Sequence, residues 1–146
     1  MGVIPGGPLA GEVVPDPVAD WRFTDDDVTV AIETRGDWID HSVTVMAAAE
    51  GSHLYIPSRQ GYRKSWVQNI GRDPVVRIGV DDRIYTGRAV RVLEMDEAER
   101  ATRAQLRKYL GLEFEKVRPL LDPPSEGDDR IEVWFFRIES LAEEDS

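Results

Sequence analysis

Arg59, Arg63, Lys64 and Arg72 fall within residues 51–72, a segment without a single Asp or Glu. The chain carries 28 acidic residues in 146, so about four would be expected in a window of that length. Guanidinium and ammonium groups interleaved with the hydroxyls of Ser58 and Ser65, next to free backbone amides at a helix start, can hold a phosphate or another anion. A solvated basic helix face that pairs with carboxylates elsewhere accounts for the same residues equally well. Other chemistry is sparse. The absence of Cys removes disulfides, thiol nucleophiles and thiolate metal sites. His41 and His53 are the only histidines, and no His, Asp or Glu triplet has metal-ligand spacing. GxSxG, P-loop and dinucleotide glycine motifs are all missing.

The elements that must carry the basic segment can be read around it. Leu54, Tyr55 and Ile56 are strand formers stopped by Pro57. A loop through Gly61 leads to a helical turn bearing Tyr62 and Trp66, ended by Gly71 and Asp73-Pro74. Trp66 is expected to pack this helix on the core. Upstream, Val28 to Thr34 alternates apolar and polar residues as a half-buried strand does, and Arg35-Gly36-Asp37 marks its turn. His41 to Ala49 reads as a second strand, joined through Glu50-Gly51-Ser52 in a hairpin to the strand beginning at His53. Ala47 to Ala49 leave room for a bulky neighbour, or fit a crowded barrel end. Downstream, Val75–Val80 and Arg83–Leu93 flank the turn Asp81-Asp82.

A helix should follow Glu94, capped by Asp96 with Glu99 completing a capping box, stopped at Gly111, with Ala98, Ala101, Leu106, Tyr109 and Leu110 on its apolar side. Residues 112–129 read as irregular, with a helical turn at Phe114 to Leu121. The last strand, Arg130 to Glu139, carries Val133, Trp134, Phe135 and Phe136 and is apolar on both faces, so it should pack against the barrel and against either the Asp96 helix or a second subunit. Six strands, two hairpins and one long helix with one or two short ones predict a mainly β, α+β fold: an antiparallel barrel with helices attached.

One domain is expected, residues 20–140, preceded by an extended Gly- and Pro-rich arm over 1–19 and followed by an acidic tail over 141–146. Val3, Ile4, Leu9, Val13 and Val14 give the arm docking contacts for a partner subunit, the alternative being a disordered tail. Net charge of -10 argues against a nucleic-acid binder. No apolar run reaches the length of a membrane span and no signal-like N-terminus is present, so a cytoplasmic location is expected.

The run SRQGYRKSW followed by NIGRDP, set between the strand pairs VTVAIET with HSVTVMAAAEGSHLYIPS and PVVRIGV with RIYTGRAVRV, resembles the pyridoxamine 5'-phosphate oxidase-like split-barrel flavin-binding superfamily. The resemblance covers roughly residues 20–138 and implies a six-stranded split barrel. It further implies that Ser58, Arg63, Lys64 and Ser65 hold a flavin phosphate, that Ser42, Val43 and Thr44 run beside the flavin ring, and that Arg59 and Trp66 complete the cofactor set. FMN is the flavin it favours, with FAD or a deazaflavin as alternatives, bound in a groove between two protomers of a homodimer. His41, starting the strand beside the ring, would reach cofactor or substrate, or simply stand in a surface turn. The implied function is a flavin-dependent oxidoreductase acting on a small molecule. A binding protein of the same fold, holding a flavin, haem or phosphorylated metabolite without turnover, is the alternative, and a third is an interaction protein whose basic loop docks an acidic partner.

Overall fold

A computed structural model describes residues 7–36, 39–58, 63–111 and 133–142. Its strands are β1 (Glu12–Val14), β2 (Val30–Thr34), β3 (His41–Val45), β4 (Ala48–Glu50), β5 (His53–Ser58), β6 (Val75–Val80), β7 (Arg83–Arg91) and β8 (Trp134–Ser140). A 3-10 helix spans Trp21–Asp26, and α1 (Ser65–Arg72) and α2 (Met95–Leu110) are α-helical. The α+β barrel class is as the sequence indicates, but the described residues form eight strands rather than six.

Seven strands run in the order β3-β2-β6-β7-β8-β5-β4, each antiparallel to its neighbours. The stretch read as one strand from His41 to Ala49 breaks at Met46-Ala47, and its halves join opposite ends of this path: β3 pairs with β2, and β4 with β5. Three peptide units separate Val45 from Ala48, a reach of at most about 11 Å. The two ends of the sheet must therefore lie side by side, and the sheet curls into a barrel. Hydrophobic burial drives the same closure, because Ile32, Leu54, Ile56, Ile78, Phe136 and Ile138 all point into one core that also receives Trp21 and Trp66.

The eighth strand comes from the N-terminal arm. β1 runs parallel to the first part of β7, Arg83 to Tyr85, while β8 takes the same strand from Gly87 to Arg91. The described part of the arm docks on its own barrel. Glu12 donates its N–H to the Asp82 carbonyl at 2.7 Å, Leu9 donates its N–H to the Glu33 carboxylate at 2.6 Å, and Val18 donates its N–H to Ser140 Oγ at 2.5 Å. Val3 and Ile4 lie outside the described residues, as do Phe114 to Leu121, the start of the last predicted strand and the end of the acidic tail.

Helix α2 begins one residue before its predicted cap. Glu94 holds the N-cap position without a side-chain bond, accepting the Ala98 N–H on its carbonyl at 3.0 Å, so Asp96 and Glu97 stand in the first turn. There they face the positive end of the helix dipole rather than capping it. Gly111 ends the helix as expected, at φ 64° and ψ 21°, the left-handed region where glycine is unhindered. The buried face of α2 is narrower than predicted: Ala101 and Ala104 are covered and Leu110 is exposed. Phe135 of β8 packs with Tyr55, Val92 and Ala101 in a second small core, so α2 is what covers the outer face of the last strand.

A buried ionic cluster fixes α2 to that face. Arg137 Nη1 donates to both Glu97 oxygens at 2.7 and 2.8 Å, and Tyr55 Oη donates to Glu97 at 2.8 Å. Burial works to raise the Glu97 pKa, but the hydrogen bonds from Arg137 and Tyr55 outweigh it and hold the carboxyl below its usual range. Stability from this group is therefore complete above its ordinary value of 4.5 and is lost as pH falls through the lowered one. Melting curves of wild type and Glu97→Gln should show the wild type losing more of its melting temperature below that pH. The handover at Gly87 gives a second prediction: a Cβ there would stand 2.7 Å from Ile138 Cγ2 and 3.1 Å from the Glu139 carbonyl oxygen, whereas one at Gly71 in α1 meets nothing within 4 Å. Urea unfolding should find Gly87→Ala destabilised by about 1–3 kcal/mol and Gly71→Ala stabilised by about 0.5–1 kcal/mol.

Candidate functional site

The barrel is closed by covalent connection but not by hydrogen bonds, and this leaves a slot. β3 pairs only with β2 among the described residues, so its other edge is free. β4 is three residues long and covers β5 only from His53 to Tyr55, leaving Ile56 to Ser58 without a strand on that side. Between these two uncovered edges lies a cleft of about 290 Å³. Its β3 wall is Val43, Thr44, Val45 and Met46, its β5 wall is Pro57 and Ser58, and the start of α1 supplies Lys64 and Trp66.

Register explains which side chains face it. Ile32 stands opposite Val43 and Val30 opposite Val45, so these β3 residues share the inward face of the pleat. Glu33 stands opposite Ser42, and both point outward. Ser42 is correspondingly held from outside, donating its hydroxyl to the Gly7 carbonyl of the arm at 2.5 Å. Trp66 is 7% exposed and meets Phe136 edge-on with ring centroids 5.6 Å apart, so it packs α1 on the core and borders the cleft at once.

The electrostatics of the cleft are one-sided. Lys64 occupies the N-cap position of α1, its carbonyl accepting the N–H groups of Val67 and Gln68 at 3.1 Å each, with no side-chain cap and no acidic residue in the first turn. Among the described residues the Ser65 and Trp66 amides are left without an acceptor at the positive end of the helix, where an anion is stabilised. Among the described residues neither Arg63 nor Lys64 has an ion-pair partner, both are exposed, and no carboxylate lines the cleft. The remaining walls are apolar apart from two hydroxyls, Thr44 and the buried Ser58. Such a slot can take a flat, mostly apolar ring between strand edges whose backbone groups are unpaired, with an anionic tail at the helix start.

Of the residues singled out in the sequence, Val43, Thr44, Ser58, Lys64 and Trp66 meet in this cleft. Arg63 and Ser65 are exposed beside it without lining it, Ser42 contributes no side chain, and Arg59 lies outside the described residues together with Tyr62. Val45, Met46 and Pro57 are lining residues that the sequence reading passed over. Arg72 belongs to the other end of α1 and binds Asn69. His41 is exposed at the start of β3 with its ring against the Gly36 backbone, not in the cleft. Among the described residues no three His, Cys, Asp or Glu come together as a metal site, and no helix is long and apolar enough to cross a membrane.

A larger hollow of about 640 Å³ opens at the other end of β5, beside His53 and Tyr55 and under the start of α2. Its two deepest acids are taken, Glu97 by Arg137 and Tyr55 and Glu50 by Arg107 at 3.1 Å, while Arg91, Glu94 and Arg100 also line it. Burial and the Glu97 carboxylate push the Tyr55 phenol up to about 12. Size alone favours this hollow, but the smaller cleft combines a lysine, an open helix start and apolar walls with no carboxylate among the described lining residues.

No protein-family model matches the sequence, and no curated protein matches it. Solved structures do match. A conserved hypothetical protein of Mycobacterium tuberculosis superposes with a TM-score of 0.65 at 19% identity, over 83% of this chain and 76% of that one. A candidate pyridoxamine 5'-phosphate oxidase of Listeria innocua gives 0.54 at 15% identity, over 80% and 86%. An F420-H2-dependent reductase gives 0.54 at 20% identity, over 77% and 95%. The chain thus has the split-barrel fold of the pyridoxamine 5'-phosphate oxidase-like proteins.

Proposed function

We propose that the cleft between β3, β5 and the start of α1 binds a flavin, FMN foremost, and that the protein is a flavin-dependent oxidoreductase acting on a small molecule. The observation that carries this reading is the junction of an apolar slot with an unpaired Lys64 at an uncapped helix N-terminus. Lys64 and the first amides of α1 hold the phosphate, Arg63 and Ser65 stand close enough in sequence to join them, and Ser58 offers a hydroxyl at the slot floor. Arg59 is assigned to the same anion. Val43 and Thr44 present backbone to the ring edge, Ser42 does so through its main chain only, and Trp66 with Met46 gives apolar contact. The flavin supplies the hydride chemistry when bound. The chain's own part is to orient the ring and exclude water, which fits walls that offer two hydroxyls and one ammonium but no acid–base pair. FAD and a deazaflavin are the alternatives to FMN, the latter supported by the likeness to a reductase described as F420-H2-dependent.

The slot is open on one side, where Val43 and Met46 are 38% and 36% exposed. A second copy of the chain placed there would cover the ring, so we assign a homodimer with the flavin at the subunit interface. Sedimentation at micromolar concentration should give twice the 16.5 kDa chain mass; a monomer holding FMN tightly would overturn this arrangement.

Fluorescence titration with FMN, FAD and a deazaflavin tests the cofactor. FMN should bind at micromolar concentration or better, and Arg63→Ala combined with Lys64→Ala should weaken it by about a hundredfold or more, the loss of two charge-assisted hydrogen bonds. Binding that is indifferent to these two residues sinks the phosphate assignment. The absence of an acid–base pair also favours a second reading, in which the flavin is carried without turnover; NAD(P)H oxidation by the loaded protein separates the two.

A further inference from the structure

We propose that Asn69 is a positioning residue for the anion-binding end of α1, an assignment that rests on the flavin reading above. The buried face of α1 consists of Trp66, Val67, Ile70 and Asn69, so one polar side chain is set among three apolar ones. Asn69 is 5% exposed, and its Nδ2 donates to Thr34 Oγ1 at 3.0 Å. Thr34 is fully buried at the end of β2. The other half of the amide, Oδ1, accepts from Arg72 Nη2 one turn on, and the Asn69 carbonyl accepts the Asp73 N–H at 2.9 Å. Asp73 in turn binds Arg35, the residue after Thr34, at 3.1 Å. The last turn of α1 is thereby tied to two adjacent residues at the end of β2.

Apolar burial is non-directional and lets a short helix rotate or slide on a sheet at little cost. A buried amide paired to a buried hydroxyl does not, because any shift leaves two polar groups unpaired away from water. Helix α1 is about 12 Å long, so its two ends move together. Trp66 lies one turn before Asn69 and Lys64 two residues earlier, and both line the cleft. The Thr34–Asn69 bond therefore sets where the helix start and the Lys64 ammonium stand relative to the slot, from the far end of the helix and without touching the ligand.

Comparing FMN with riboflavin tests this, since riboflavin lacks the phosphate and reports on the ring slot alone. Asn69→Leu and Thr34→Val should each weaken FMN by about tenfold while riboflavin stays within about twofold, and Thr34→Ser, which keeps the hydroxyl, should restore FMN. Adding Lys64→Ala to Asn69→Leu should cost less than Lys64→Ala costs alone, because the ammonium is already misplaced. Equal losses for both ligands, or losses that follow the melting temperature, would make Asn69 merely structural and overturn the assignment. Should Asn69→Leu fail to fold, the isosteric Thr34→Val carries the same comparison. Wild-type protein that binds FMN, with Asn69→Leu and Thr34→Val binding it as tightly, overturns this inference alone. Wild-type protein that binds neither ligand overturns the flavin reading and this inference together.

Discussion

Val45 and Ala48 belong to opposite ends of a seven-strand path, yet only Met46 and Ala47 separate them. That short link is the constraint on which the rest of the molecule depends. It forces the sheet to close, and because strands that meet at a corner cannot also pair along their length, it leaves the edge of β3 and the outer half of β5 uncovered. The corner is held from behind by the last turn of α2. The Ala47 N–H donates to Tyr109 Oη at 2.9 Å, whose own proton is in reach of the Val28 carbonyl at 2.7 Å and the Ala47 carbonyl at 2.9 Å. Lys108 Nζ donates to the Ala47 carbonyl at 2.6 Å and to the Thr24 carbonyl at 2.9 Å. Both backbone groups of a fully buried residue are thus satisfied by side chains where no strand can reach them. Burial lowers the Lys108 pKa, and the nearby carboxylates of Asp25 and Asp27 act in the opposite direction.

The basic end of the cleft was legible in the sequence because local chemistry marks it. An acid-free run, a strand that runs through Pro57 to Ser58 rather than stopping at the proline, and a helix ended before Pro74 keep Ser58, Lys64 and Trp66 close whatever the rest of the fold does. The opposite wall was not legible. VTVMAAAE carries neither Gly nor Pro, and alanines weaken a strand without marking a turn, so nothing local announces the break at Met46-Ala47 that brings Val45 and Met46 to the slot. The break is a tertiary effect, imposed by closure and by the side chains of Lys108 and Tyr109 sixty residues away in the chain. β1 was hidden for the same reason. Three residues between glycine and proline make a strand only because β7 outruns β8 and offers an uncovered edge. At Asp96 the sequence misled, since Asp followed by Glu three residues later imitates a capping box while the backbone begins its turn at Glu94.

In a chain of net charge -10, an anion drawn to the cleft would approach against the field of the whole molecule. At physiological ionic strength exposed charges are largely screened beyond about 8 Å, so the balance is struck by groups near the cleft mouth. The pleat of the sheet does much of the sorting. Its period of two turns Val43 inward beside Ile32 and turns Ser42 and Glu33 outward, so the acid on β2 nearest to β3 is kept off the cleft side. Glu33 is 6% exposed, and a bare carboxylate at that depth would be costly. The arm removes the cost by offering the Leu9 N–H, with Arg77 Nε a further 4.0 Å contact. An arm laid over the outer face thus lets an acidic sheet present an acid-free inner rim, and a single lysine at a helix start can then set the sign of the potential that an incoming anion meets.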